Sequence, residues 1–256
     1  MRILMIGDVV GRPGRRAVRK FLPGLSHDYG INLVIANGEN CAGGIGITSD
    51  TAKELLDSGV NIITTGNHVW AKKEIIPYLD SELPIIRPLN FPPGAPGRGF
   101  LVVNGALIVN LIGRVFVGEF DCPFRVMDWL LSQTSLKQKV IVVDFHAEAT
   151  SEKMAMGRYL DGRVSAVLGT HTHIGTVDAG ILPGGTAYVT DVGMVGPADS
   201  VIGVDAESAI HSFLTGMPHR FSVGEGAVIF DAVLIEVDET TGRAVSIQRI
   251  QRREEA

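Results

Sequence analysis

Met1-Arg2-Ile3-Leu4-Met5-Ile6-Gly7-Asp8-Val9-Val10-Gly11 is a β-rich apolar run that ends in a glycine and a carboxylate. The same pattern returns twice: Ile31 to Ala36 runs into Asn37-Gly38-Glu39-Asn40, and Asn61 to Thr65 runs into Gly66-Asn67-His68. Helical stretches fall between these runs, at Arg15 to His27 and Asp50 to Ser58, the second with Thr48 and Ser49 as candidate N-caps. Strand, loop, helix, strand predicts βαβ units in an α/β fold, with a mostly parallel sheet and helices on both faces.

Beyond Pro84 the pattern becomes antiparallel. The β-rich pieces Gly99 to Val103 and Ala106 to Leu111 are joined by Asn104-Gly105, the dipeptide of a type I′ hairpin. A helix at Phe124 to Ser132, a strand at Lys139 to Asp144, a helix at Ser151 to Asp161 and a strand at Val164 to Leu168 follow, and Thr176 to Val192 and Gly226 to Ile250 read as hairpins. Pro88 to Gly99 reads as a long loop rather than a boundary, so residues 1–256 are expected to form one domain.

Composition narrows the function classes. With 45% hydrophobic and 20% charged residues the chain can bury a sizeable core, and a net charge of -5 with a pI near 5.8 argues against a surface that grips long nucleic acid. A small phosphorylated substrate stays compatible with that charge, because a bound metal cluster reverses its sign locally. Cys41 and Cys122 read as free thiols. The opening apolar run is too short for a signal peptide, and no apolar stretch approaches the roughly 20 residues that span a bilayer. A soluble, cytoplasmic protein without membrane contact is the expectation.

The ends of the strands carry the chemistry, as ligand-binding loops of open α/β sheets do. Strand one delivers Asp8, strand two Glu39 and Asn40, and strand three Asn67 and His68. The strand ending at Asp144 delivers His146, and the strand ending at Leu168 delivers Gly169-Thr170-His171-Thr172-His173, an extended His-x-His segment expected to turn both rings to one face. Carboxylate and amide oxygens mixed with imidazoles suit first-row metals, and thiolate-free sets of this kind serve catalysis. The glycines of Gly38 to Gly46 allow close backbone approach to an ion or phosphate. No Walker loop and no helix-opening G-x-G-x-x-G is present, so no nucleotide cofactor is implied. Cys41 is expected to be a packed side chain, its pKa raised by neighbouring carboxylates. His27, His211 and His219 read as surface or structural, and nothing separates Arg114 or Arg158 from ordinary solvation.

These blocks resemble the calcineurin-like metallophosphoesterase superfamily: Asp, Gly-Asp, Gly-Asn-His, a lone His, then Gly-His-x-His. The likeness spans Met1 to about Val192 and is strongest at Gly66-Asn67-His68 and at Gly169 to His173. It departs where Val10 replaces the usual first-block histidine, where Glu39 replaces the bridging Asp, and where Val69 replaces an acidic residue. Together with the opening residues and the block Ala36-Asn37-Gly38-Glu39-Asn40, these departures resemble the YmdB-like bacterial branch along nearly the whole chain.

The resemblance implies a two-sheet β-sandwich flanked by helices and a phosphodiesterase acting on 2′,3′-cyclic nucleotides. It also implies two metal ions, iron or manganese, and a homo-oligomer. One ion would take Asp8, Glu39, Asn40 and His173, the other Glu39, Asn67, His146 and His171. Glu39 is suited to bridge them, a water activated between the ions would attack phosphorus in line, and His68 would protonate the departing oxygen. The competing readings are a phosphomonoesterase or nuclease on the same ions, or a non-catalytic regulatory protein with this fold.

Overall fold

The computed structural model describes residues 1–133, 135 and 137–255. In chain order the elements are β1 (Arg2–Val9), α1 (Gly11–Tyr29), β2 (Leu33–Asn37), α2 (Ser49–Asp57), β3 (Ile62–Thr64), α3 (Ile76–Leu79), β4 (Phe100–Val103), β5 (Ala106–Ile112) and α4 (Pro123–Leu131). There follow β6 (Ile141–His146), α5 (Thr150–Leu160), β7 (Ala166–Thr170), β8 (Gly180–Ile181), β9 (Ala187–Val189), β10 (Met194–Pro197), α6 (Ala206–Thr215), β11 (Val228–Val237) and β12 (Ala244–Glu254).

Two six-stranded sheets form, ordered β12-β11-β10-β1-β2-β3 and β4-β5-β6-β7-β9-β8. The expectation of one sheet with helices on both faces is corrected here, and the two-sheet sandwich holds instead. Alternation explains it, because successive strand residues point to opposite faces. Ile3, Met5, Leu33 and Ile35 pack with Ile108, Val142 and Leu168 of the other sheet. Leu4, Ile6, Val34 and Ala36 point the other way, onto Val18, Leu22 and Leu55 of α1 and α2. The outer face of the second sheet is covered by Met127 and Leu130 of α4 and by Met156 and Leu160 of α5. Each helix layer therefore serves one sheet only.

Local chemistry sets the boundaries. Thr48 caps α2 through a reciprocal pair, Thr51 N donating to Thr48 Oγ1 at 3.2 Å and Thr48 N to Thr51 Oγ1 at 3.0 Å. Asn104 and Gly105 have φ of 50° and 84°, the two positive values of a type I′ turn. Residues 88–99 form the expected loop, held by Arg87, which donates to the carbonyls of Pro88, Ala95 and Pro96 at 2.7, 3.1 and 3.2 Å. The hairpins β8–β9 and β11–β12 are antiparallel as expected. Three pieces escaped the sequence reading: the short α3, strand β10 and helix α6. Strand β10 inserts between β1 and β11 at the end of the sheet that carries Asp8.

Both cysteines are free, and Cys41 is fully buried. Its thiol is pushed up to about 11 chiefly by burial, with the Glu54 carboxylate adding a little and the Thr51 hydroxyl and Arg15 working in the opposite direction. Cys41 should therefore resist iodoacetamide at about pH 8 in the folded chain and react once the chain is unfolded. Rapid labelling of native Cys41, read by peptide mass spectrometry, would contradict this packing.

Candidate metal centre

His146, the last residue of β6, is fully buried. Its Nε2 lies 3.0 Å from Glu39 Oε1, 3.2 Å from Asn67 Oδ1 and 2.9 Å from His171 Nδ1. Burial opposes charging His146, but the Glu39 carboxylate, with Asp8 and Asp144 behind it, prevails and pushes its pKa up to about 9. Burial and the adjacent His146 cation push His171 down to about 3. Burial also opposes ionisation of Glu39, yet His146 and the backbone N–H of His68, 3.0 Å from Oε2, hold its pKa down at about 2. One proton thus sits among donor atoms that a cation would serve together.

A second group of donors adjoins the first through Glu39. The Asn40 amide nitrogen is 3.3 Å from Glu39 Oε1 and 3.2 Å from His173 Nε2, and a half-turn of that amide places Oδ1 in the same position. Asp8 lies inside β1, not in a loop after it, beside an irregularity in the β1–β2 register between Ile6 and Asp8. Its Oδ2 accepts from the backbone N–H of His171 at 3.1 Å. Its Oδ1 lies 3.7 Å from His173 Nε2 and 3.9 Å from His146 Nδ1, and it has no hydrogen-bond partner among the described residues. Burial raises the pKa of this carboxyl against the pull of His173 and His146.

A buried carboxylate oxygen without a donor is costly, and a cation among these side chains would satisfy it. The residues fit a metal site on that observation and on their mixed oxygen and nitrogen chemistry. Glu39, His146 and His171 each offer a ligand atom within 4.8 Å of the others. All seven residues expected as ligands are brought together here, and of them Glu39, Asn40, His171 and His173, along with His68, line a cavity of about 670 Å³. Asn67 relates it to the ligands: with Oδ1 toward His146, its amide nitrogen is 3.1 Å from His68 Nε2. His27, by contrast, is exposed on α1.

The His-x-His segment is not extended, which corrects the expected geometry. His171 and His173 have φ of 105° and 66°, conformations that non-glycine residues rarely adopt. Buried carboxylates hold them there. Asp8 grips the N–H of His171, and Asp191 accepts from Thr172 N at 3.1 Å, Thr172 Oγ1 at 2.8 Å and Lys153 Nζ at 2.7 Å. Backbone conformations of this kind persist where the surroundings over-determine them, and they concentrate at functional sites.

Sequence reasoning missed a supporting layer. His146 Nδ1 lies 2.9 Å from Thr170 Oγ1, which donates to Asp144 Oδ1 at 2.7 Å. Asn37 Nδ2 donates to Asp144 Oδ2 at 3.1 Å, and Thr64 Oγ1 donates to the same oxygen. Burial raises the pKa of Asp144 to about 6, opposed by His146 and by the two hydroxyls. This chain fixes the ring so that Nε2 faces Glu39 and Asn67. Asp144, a carboxylate inside the apolar run Ile141-Val142-Val143-Asp144-Phe145 and two residues before His146, so on its face, was the available signal.

Two substitutions should show that the site is built rather than incidental. Thr170→Val removes the hydroxyl that joins His146 to Asp144 and should weaken metal binding about 10- to 100-fold, read by chelator competition. Unchanged affinity would mean that Thr170 only fills space. At Gly66 an added Cβ would come within 2.5 Å of Glu39 Oε2 and closer still to the His146 ring. Gly66→Ala should therefore lower metal affinity by about 100-fold or more while thermal melting still reports a folded chain.

Known proteins resemble this chain in both sequence and fold. The model of the YmdB-like protein family matches residues 4–250. The chain is 49% identical over 254 residues to the 2′,3′-cyclic-nucleotide 2′-phosphodiesterase of Bacillus subtilis (strain 168), covering 98% of this chain and 96% of that one. The crystal structure of a phosphatase from Mycoplasma pneumoniae superposes with a TM-score of 0.94 at 34% identity, over 100% of this chain and 94% of the other. A hypothetical protein from Thermus thermophilus superposes with a TM-score of 0.93 at 47% identity, over 99% of this chain and 100% of the other. On sequence and fold alike, the chain belongs to the YmdB-like family of phosphoesterases.

Proposed function

We propose that this chain is a metal-dependent phosphodiesterase that hydrolyses small phosphodiesters, 2′,3′-cyclic nucleotides in particular, with two ions held by Asp8, Glu39, Asn40 and His173 and by Glu39, Asn67, His146 and His171. The observation that carries the reading is the position of Glu39, whose Oε1 contacts His146 in one donor group and Asn40 in the other. The relative from Bacillus subtilis, a 2′,3′-cyclic-nucleotide phosphodiesterase, supports the substrate. Bound first-row ions would supply Lewis acidity, lowering the pKa of water and neutralising charge on phosphoryl oxygens.

The chain's own residues would do the rest. Asp8 and Glu39 set a negative, water-poor floor, and the Asp144–Thr170 link keeps His146 Nε2 aimed into it. With Asn67 Oδ1 turned toward His146, its amide nitrogen donates to His68 Nε2, which leaves Nδ1–H as the group that can give a proton. His68 would give a proton to the ribose oxygen that leaves when the cyclic diester opens, a poor leaving group that needs one.

Iron or manganese is the proposed metal, since a donor set of mixed oxygen and nitrogen without thiolates is compatible with either. The chain is proposed to act as one domain, in the cytoplasm and as a homo-oligomer. Free cysteines and the absence, among the described residues, of any helix long and apolar enough to cross a membrane support the compartment. The phosphatase from Mycoplasma pneumoniae raises the monoester reading. Rates on bis(p-nitrophenyl) phosphate, p-nitrophenyl phosphate and 2′,3′-cyclic AMP decide between them. Faster hydrolysis of both diesters is expected, and a preference for the monoester would overturn the assignment.

A further inference from the structure

The cavity lining is of two kinds. Glu39, Asn40, His68, His171 and His173 contribute polar donors and acceptors, while Ile45, Ile202 and Phe221 contribute apolar surface. These three apolar side chains remain 43%, 47% and 50% exposed. Aromatic and branched side chains open to a polar cleft in this way mark a surface that an apolar ligand face covers.

The apolar lining is held in place and joined to the polar donors. On one side of Phe221, Asp205 N donates to Ser222 O at 2.9 Å and Gly224 N to Gly203 O at 3.0 Å, and Val204 and Val223 form a β-bridge. On the other side the His219 ring stands edge-on to Phe221, with centroids 6.2 Å apart. Ile202 has a φ of 48°, a conformation that a β-branched residue adopts only under constraint. Its carbonyl accepts from His173 Nδ1 at 2.7 Å, which turns His173 Nε2 toward Asn40 and Asp8. Ile202 therefore both contributes to the apolar lining and orients a proposed ligand.

We infer that Phe221, with Ile45 and Ile202 of the same cavity, is a nucleobase subsite on which the base of a cyclic nucleotide stacks while its phosphate lies against the polar donors. The inference rests on the cyclic-nucleotide reading. In a 2′,3′-cyclic nucleotide the phosphate is fused to the ribose and the base sits on the adjacent carbon. Phosphate and base are then held a short, fixed distance apart, and a cavity that takes one must offer a surface to the other. Stacking on a ring suits every base, since all have a π-face, so discrimination among bases should be weak. Lys72 and Arg220 line the same cavity and give the approaching anion a favourable field.

The test is a comparison of kcat/KM for 2′,3′-cyclic AMP and for the base-free methyl riboside 2,3-cyclic phosphate, in the metal-loaded wild type, Phe221→Ala and Phe221→Trp. In Phe221→Ala the ratio of nucleotide to base-free substrate should fall about 5- to 140-fold, chiefly through KM, the range that corresponds to stacking of ~1–3 kcal/mol. Phe221→Trp should keep the ratio. An unchanged ratio in Phe221→Ala overturns the subsite and leaves the cyclic-nucleotide reading standing. A wild type inert toward both cyclic esters yet active on bis(p-nitrophenyl) phosphate overturns that reading, and the subsite with it.

Discussion

Glu39→Gln should lose both metal and activity. The side chain keeps its size but gives up the charge that holds His146 and Asn40, and with it the attraction for cations in a site where it is 1% exposed. Losing a group shared by both donor sets should cost several kcal/mol of transition-state stabilisation, a drop in kcat/KM of about 10³-fold or more. Metal content should fall in step, measured by elemental analysis on protein that melts as a folded chain. Retained metal together with retained rate would show that the site lies elsewhere.

His68→Ala should behave differently. His68 touches the proposed ligand Asn67 but is not placed among the donors, so the variant should keep its metals. The loss should follow the leaving group: about 10²- to 10⁴-fold on 2′,3′-cyclic AMP, whose departing ribose oxygen needs a proton, and much less on bis(p-nitrophenyl) phosphate, whose phenolate leaves unaided. Rates on the two esters at matched metal content make the comparison. Equal slowing of both would count against proton donation and for a positioning role.

The order of these effects follows what the sequence could and could not display. The first three strands were legible because each is a short β-rich run closed by a glycine and a polar donor, and their terminal residues are those that meet at the site. The Asn104-Gly105 hairpin and the Thr48 cap were legible because their residue types satisfy a local backbone demand. What stayed hidden depends on contacts distant in sequence. That β1 pairs with β10 and β11 on one side and β2 on the other cannot be read from any of these strands alone. The conformation of His171 and His173 is imposed by Asp8 and Asp191, partners 163 and 19 residues away, so a local rule for strands gave an extended segment. Helix α6 was missed because Ala209 is its only buried residue, which leaves no apolar stripe facing a core.

The same limit applies to Asp144, Thr170 and Lys153, whose work is to hold other residues. A buried lysine is tolerated only when paired, and Lys153 meets Asp191, which in turn holds Thr172 between the two histidines. The proposed ligands stood out by type and strand-end placement, whereas their supports look like ordinary strand and helix residues until the sheets are assembled.

The most direct test follows hydrolysis of 2′,3′-cyclic AMP while a chelator-stripped chain is titrated with iron or manganese, the bound metal per chain being measured at each point. The rate should be near zero without metal and should reach its plateau as the ratio approaches two, the number that two donor groups sharing Glu39 require. A full rate in the stripped protein, or a plateau reached at one ion per chain, would contradict the two-metal site.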